Sequence, residues 1–86
     1  MFEENPELFL DKVVEKVKKE RIQRKISQLK LANILGFSSP NYIAKIETRK
    51  HGSSYNLTHL CKIAKAFDME VIELLPQKKK KSYDFK

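Results

Sequence analysis

The sequence predicts an all-α fold of five helices, and three observations support this. Only two glycines and three prolines occur in the chain, and no alternating apolar run is bounded by hairpin signals. Apolar residues instead recur at the three- and four-residue spacing of a helix face. A chain of 86 residues holds one small core and no deep cleft, so we expect a binding domain and no enzyme.

The first helix is predicted to run from Pro6 to about Arg24. Asn5 suits the capping position, Pro6 suits the first helical position, and Glu7 favours the positive end of the helix dipole. Its apolar stripe consists of Phe9, Leu10, Val13, Val14 and Val17. This helix is long for so short a chain.

A pair of short helices joined by a tight turn follows. Ser27 is a good cap for the second helix, and Gly36 follows Leu35 where a left-handed residue is wanted. Ser39 is expected to cap the third helix, with Pro40 at its first position. The inward residues of the pair are Leu31, Ala32, Leu35, Ile43 and Ile46. The residues left outward on the third helix are Asn41, Tyr42, Lys45 and Arg49.

Two more helices complete the predicted domain, which we assign to residues 1–76. Asn56 suits the cap of a fourth helix, and a short fifth helix from about Glu70 to Leu75 is expected to close the core. Pro76 ends it. Residues 77–86 contain the lysine run Lys78 to Lys81 and are too polar to pack. They are expected to form a flexible, disordered basic tail. That run either solvates the chain end or adds nonspecific attraction for phosphate.

The charge pattern predicts a polyanionic partner. The chain has 18 Lys and Arg against 11 Asp and Glu, which gives a net charge of +7. The acids concentrate near the amino terminus, whereas residues 21–65 carry mostly Lys and Arg. The single cysteine, Cys61, allows no intrachain disulfide, and no signal or membrane segment is visible. These features predict a cytoplasmic protein without a membrane role.

Catalytic, cofactor and metal sites are not expected. His51, His59 and Cys61 are too few and too awkwardly spaced for a metal site. No nucleophile elbow is present, and two glycines cannot build a phosphate-cradling loop.

The central part of the chain resembles the Cro/C1-type (XRE-like) helix-turn-helix repressors. The resemblance spans roughly residues 17–75, with a helix-turn-helix at about 27–47, and rests on the runs RIQRKISQLKLANILG, YIAKIE and LTHLCKIAKAFDMEVIELL. It implies a compact lambda-repressor-like fold whose third helix enters the major groove of double-stranded DNA. The first helix extends upstream of the family's usual start, and Asp68 replaces its usual glycine.

The resemblance also implies roles for individual residues. In the family, the residue equivalent to Gln28 binds a phosphate, and the outward side chains of the third helix read bases. Asn41 suits adenine and Lys45 suits guanine. The implied DNA-binding residues are Gln28, Ser38, Ser39, Asn41, Tyr42, Lys45, Arg49 and Lys50. Arg21 and Glu47 are expected to form a partly buried ion pair that fixes the third helix.

The function implied is that of a transcriptional regulator, acting as a repressor that binds a palindromic operator as a homodimer. The dimer surface is expected at the fifth helix or at Phe2, Leu8 and Phe9. The alternatives are an antitoxin, which would regulate its own gene and bind a toxin protein, and a restriction-modification controller. The sequence leaves these alternatives open.

Overall fold

The computed structural model describes residues 5–77, which contain no strand. Its elements are the α-helices Pro6–Gln23 (α1), Gln28–Ile34 (α2), Asn41–Glu47 (α3) and Leu57–Phe67 (α4), with short 3-10 turns at Lys50–Gly52 and Val71–Leu74. The all-α prediction is confirmed. Residues 78–86 of the predicted basic tail, with Lys78 to Lys81, and the predicted dimer residue Phe2 lie outside the described residues.

Local capping chemistry sets the ends of α1 as predicted. The Asn5 Oδ1 atom accepts a hydrogen bond of 2.9 Å from the Glu7 amide, and Pro6 occupies the first helical position. Arg24 ends the helix, and Lys25 then adopts a left-handed conformation with φ of 57°. This residue reverses the chain toward α2.

The turn between α2 and α3 depends on Gly36. Ser27 caps α2 by accepting a 2.9 Å hydrogen bond from the Lys30 amide. After α2, Gly36 has a φ of 95°, and the Phe37 amide donates to the Ala32 carbonyl at 2.9 Å. This bond pattern closes the helix end with a left-handed residue. Phe37 thereby folds back against the core.

The start of α3 differs slightly from the prediction. The helix begins at Asn41, and Pro40 is the residue flanking it rather than its first residue. Proline has no amide hydrogen, so the Ser39 hydroxyl accepts instead from the Asn41 amide, at 3.1 Å. The predicted serine therefore bonds the Asn41 amide, although the helix itself begins one residue later than expected.

The predicted fifth helix is a single 3-10 turn, Val71–Leu74. The cause lies in Pro76, because a proline disfavours helical conformation in the residue before it. Leu75 accordingly adopts extended dihedral angles, φ −97° and ψ 153°. Leu74 is nevertheless fully buried, so the turn still closes the core.

One core joins all four helices. Its buried residues are Val13, Val14, Val17, Leu31, Ala32, Leu35, Ile43, Ile46, Tyr55, Leu60, Ile63, Ala64, Phe67 and Leu74. Ile43 and Ile46 are fully buried, so the inward face of α3 is fixed and its opposite face is exposed. Within residues 5–77, no helix has the length and apolar character needed to cross a membrane.

Candidate nucleic-acid interface

A partly buried ion pair ties the end of α3 to α1, as predicted. Arg21 donates from Nε to Glu47 Oε2 at 2.8 Å and from Nη2 to Glu47 Oε1 at 3.1 Å. The Glu47 side chain is only 3% exposed and that of Arg21 11%. Such a two-pronged contact fixes both distance and orientation. It therefore holds the carboxyl end of α3 at a set position on α1.

Two further bonds extend this pair to the neighbouring helix. The Arg21 Nη1 atom donates to the Ile26 carbonyl at 2.7 Å, in the turn before α2. Gln28, the first residue of α2, donates from Nε2 to Glu47 Oε1 at 2.9 Å. The carboxylate of Glu47 thus accepts three hydrogen bonds and links α1, α2 and α3. Gln28 is held beside the start of α2 by the same carboxylate.

The exposed face of α3 carries several of the predicted side chains. Asn41 and Lys45 are exposed and lie one helical turn apart. Together with Ala44 they line one side of an open depression. Thr48, Lys50 and His51 line the rest of it. The structure therefore brings Asn41, Lys45 and Lys50 onto a single surface.

Tyr42 lies differently from the other α3 residues. Its ring is half-buried and packs on Phe37, with 4.3 Å between ring centroids, and on the edge of His59 at 5.7 Å. The ring of Tyr55 also contacts His59, with 6.3 Å between ring centroids. The ring of Tyr42 therefore anchors the amino-terminal part of α3 through its aromatic contacts.

Burial affects two ionisable groups in this aromatic cluster. Burial, and secondarily the negative charge of Glu47, raises the pKa of the Tyr55 hydroxyl. Burial, followed by the charge of Lys62, lowers the pKa of His59. The neutral imidazole also accepts a hydrogen bond from the Asn56 amide through Nδ1, at 3.4 Å. The cluster beneath α3 is therefore uncharged at neutral pH.

The two serines before α3 have different environments. Ser38 is exposed, whereas Ser39 is half-buried and its hydroxyl caps the helix as described. A hydroxyl that accepts from the helix amide still has its own hydrogen to donate. Both serines therefore remain able to meet a phosphate.

Arg49 points away from the exposed face of α3. Its guanidinium bonds Glu7 through Nη2 and lies 3.1 Å from Asp11 Oδ1 through Nε. The contact with Asp11 is an ion pair without hydrogen-bond geometry. The side chain is 15% exposed. Arg49 is therefore engaged with α1 and does not line the depression with Asn41, Lys45 and Lys50.

Thr48 and His51 also line this surface, although the sequence did not predict them there. The Thr48 hydroxyl donates back to the carbonyls of Ala44 and Lys45, and His51 is exposed with a φ of 55°. The left-handed conformation of His51 turns its side chain toward the depression beside Lys50. His51 directly follows Lys50 in the sequence, and this neighbouring position was the one sign that it could share the surface.

The charge of the surface is almost uniformly positive. Glu47 is the one acidic residue between positions 21 and 65, and Arg21 neutralises it. Lys30, Lys45 and Lys50 are exposed around α2 and α3. The lysines of this surface are therefore not opposed by any unpaired carboxylate from residues 21–65. Within residues 5–77, no group of three or more His, Cys, Asp or Glu residues is placed to hold a metal ion.

Comparison with known proteins agrees with this geometry. A family model described as Helix-turn-helix matches residues 17–74, well over half of the chain. No curated protein matches the sequence significantly. Members of this family are DNA-binding regulators of transcription and are not typically enzymes. The match begins within α1 and ends at the final 3-10 turn, so it covers α2, α3 and α4 in full and the last part of α1. The chain belongs to the Cro/C1-type (XRE) helix-turn-helix family of DNA-binding proteins.

Proposed function

We propose that this protein is a bacterial or phage-type cytoplasmic repressor that binds a palindromic operator as a homodimer. The single observation that carries the proposal is the exposed face of α3, on which Asn41, Lys45 and Lys50 line one surface. The opposite face of α3 is fully buried at Ile43 and Ile46. Residues 1–76 form the DNA-binding domain in this proposal, and residues 77–86 form a flexible basic tail.

Asn41 and Lys45 are the proposed base-reading residues. A helix fits into the major groove, where an amide side chain pairs with adenine and a lysine with guanine. Both side chains are exposed, and neither makes a side-chain hydrogen bond within the described residues. They therefore reach the groove without breaking an internal contact.

Lys50, Gln28 and the serines before α3 are the proposed phosphate contacts. Lys50 is exposed at the rim of the depression, and Gln28 is oriented by Glu47. Tyr42 contributes only through its hydroxyl, because its ring packs against Phe37. Phosphate contacts position the protein on the duplex but carry no sequence information.

The size of the domain supports a homodimer. One such module buries too little surface for high specificity, whereas two modules on half-sites one helical turn apart supply it. Exposed apolar side chains suited to self-association include Ile72, 63% exposed in the last turn, and Leu8, 44% exposed on α1. These belong to the two dimer surfaces predicted from the sequence.

The test is selection of bound duplexes from a random DNA pool at physiological salt, with the mass of the complex measured alongside. We expect an enriched inverted repeat and two chains on each duplex. Added protein should then lower transcription from a promoter that contains the selected repeat. If only salt-sensitive binding to all sequences is found, the proposal of a sequence-specific repressor fails.

Two single substitutions separate the proposed dimer surfaces. Ile72→Asp and Leu8→Asp each change an exposed residue, so neither should disturb the core. The substitution that converts the two-chain complex to a one-chain complex identifies the surface. If both variants still bind as dimers, neither surface forms the interface.

A further inference from the structure

The turn after α3 contains two non-glycine residues with left-handed backbone conformations. Arg49 and His51 both adopt left-handed conformations, with φ of 55° each. Residues with a Cβ atom seldom adopt this conformation, and they keep it when surrounding contacts demand it. This turn also carries Lys50 and His51 on the proposed DNA surface. Its conformation therefore decides where those two side chains lie.

The turn's own hydrogen bonds are local. The Gly52 amide donates to the Arg49 carbonyl at 2.9 Å, and the Ser53 amide donates to the Lys50 carbonyl at 3.0 Å. The Arg49 guanidinium makes the longer connection. It bonds the Ser53 carbonyl at 3.3 Å and, from the other side, Glu7 and Asp11 of α1.

Glu7 and Asp11 belong to the part of α1 that precedes the family match. The match begins at residue 17, so both acids lie in the upstream extension of this helix. They are four residues apart and therefore share one face of α1. Val13 and Val14 of the same extension are buried in the core. The extension is thus packed on the core, and its two carboxylates contact the Arg49 guanidinium.

We propose that Glu7 and Asp11, acting through Arg49, are positioning residues for the turn Lys50–Gly52. This inference rests on the proposed function, because the turn matters as part of a DNA-binding surface. In it, Arg49 holds the turn and does not contact DNA. The alternative is that Arg49 leaves the carboxylates to bind a phosphate, and this predicts opposite effects of substitution.

The first test needs no DNA. Amide hydrogen exchange at Gly52 and Ser53 is measured in the wild type, in Arg49→Gln and in the double variant Glu7→Gln/Asp11→Asn. We expect faster exchange at both amides in both variants, and no further increase when all three substitutions are combined. The melting temperature of Glu7→Gln/Asp11→Asn should change little, because the two carboxylates are mostly exposed. Unchanged exchange at these amides would overturn the proposal.

The second test compares affinities for the selected duplex and for a random duplex. The matched control is Glu15→Gln/Asp68→Asn, which makes the same change in net charge at two exposed positions. Asparagine tolerates the left-handed conformation that Asp68 has. Because Lys50 is the proposed phosphate contact on this turn, we expect the affinity for both duplexes to fall roughly 3- to 10-fold. The fall is measured against the wild type for Arg49→Gln and against the control for Glu7→Gln/Asp11→Asn. The control itself should bind no more weakly than the wild type.

Salt dependence separates positioning from direct contact. If Arg49 positions the turn, the slope of log affinity against log salt becomes less steep in Arg49→Gln and in Glu7→Gln/Asp11→Asn alike, because both variants displace Lys50. If Arg49 instead contacts a phosphate, the slope falls by about 0.9 in Arg49→Gln alone, and Glu7→Gln/Asp11→Asn binds more tightly than the control. That outcome overturns the proposal. A wild-type protein that prefers no duplex sequence would refute the proposed function, whereas the exchange result would stand independently.

Discussion

Replacement of Arg21 by alanine should strongly destabilise the fold. The substitution removes two charged hydrogen bonds to Glu47 and one bond to the Ile26 carbonyl. Glu47, 3% exposed, would keep only the bond from Gln28. Removing one partner of a buried pair costs about 3–5 kcal/mol. Because Arg21 retains some exposure, we expect the lower end, about 3 kcal/mol, and a fall in melting temperature of roughly 12–24 °C.

The assay is urea and thermal unfolding followed by circular dichroism. Lys18→Ala is the matched control, because it truncates another half-buried cationic side chain of α1. We expect it to change the free energy of unfolding by less than about 0.5 kcal/mol. A double-mutant cycle with Glu47→Ala should give a coupling energy of about 2 kcal/mol or more. Equal melting temperatures for Arg21→Ala and Lys18→Ala would refute the reasoning.

Three other outcomes are expected. Lys45→Ala should cost about 1–3 kcal/mol of binding to the selected duplex and relax the preference at one base pair, whereas Lys50→Ala should weaken all duplexes alike, measured by titration. Gly36→Ala should lower the free energy of unfolding by about 1 kcal/mol or more in urea, because φ is 95° there although a Cβ atom would meet nothing within 4 Å. The lowered pKa of His59 means that the unfolded chain binds the proton more readily, so stability is fully present above pH 6.5 and falls as pH drops through the folded pKa. His59→Gln, which keeps the capping geometry, should remove this dependence between pH 5 and 8; equal pH profiles would contradict it.

Helix ends were predictable where the signal lies within a few residues. Asn5, Ser27 and Asn56 each accept a hydrogen bond from the amide two or three residues later. Gly36 adopts the positive φ expected of a glycine just after a helix. These features depend on side-chain chemistry and backbone sterics at one place in the chain, so the sequence displays them directly.

The predictions that differed from the structure concern finer geometry. Apolar spacing identified the residues around Leu74 as a closing element, but it cannot separate one 3-10 turn from a short α-helix. The proline effect on Leu75 was the missing constraint. Similarly, Ser39 was recognised as a cap, yet Pro40 displaced the helix start by one residue. In both cases a proline shifted a boundary without changing the fold.

The environment of Arg49 was not predictable from local sequence. Its partner Glu7 lies 42 residues away in the chain, and a flexible arginine at the end of a helix has many acceptors within reach. Only the path of α1 across the end of α3 selects Glu7 and Asp11. Sequence spacing placed Arg49 one turn beyond Lys45, on the face where a phosphate contact is reasonable. The three-dimensional position of α1 changes that interpretation.

Pairing and burial explain how an acidic residue, Glu47, can stand at the end of α3. An uncompensated carboxylate there would repel phosphate and weaken DNA binding. Glu47 avoids this because Arg21 neutralises it and because its side chain is buried. Its third bond, from Gln28, turns the carboxylate into an orienting group for a proposed phosphate contact. Glu47 therefore ties α1, α2 and α3 together. Because Arg21 neutralises it, the exposed lysines of α3 and the following turn keep their positive charge unopposed. Loss of Arg21 would remove both properties at once, which is why its effect on DNA binding should exceed that expected from the loss of one positive charge.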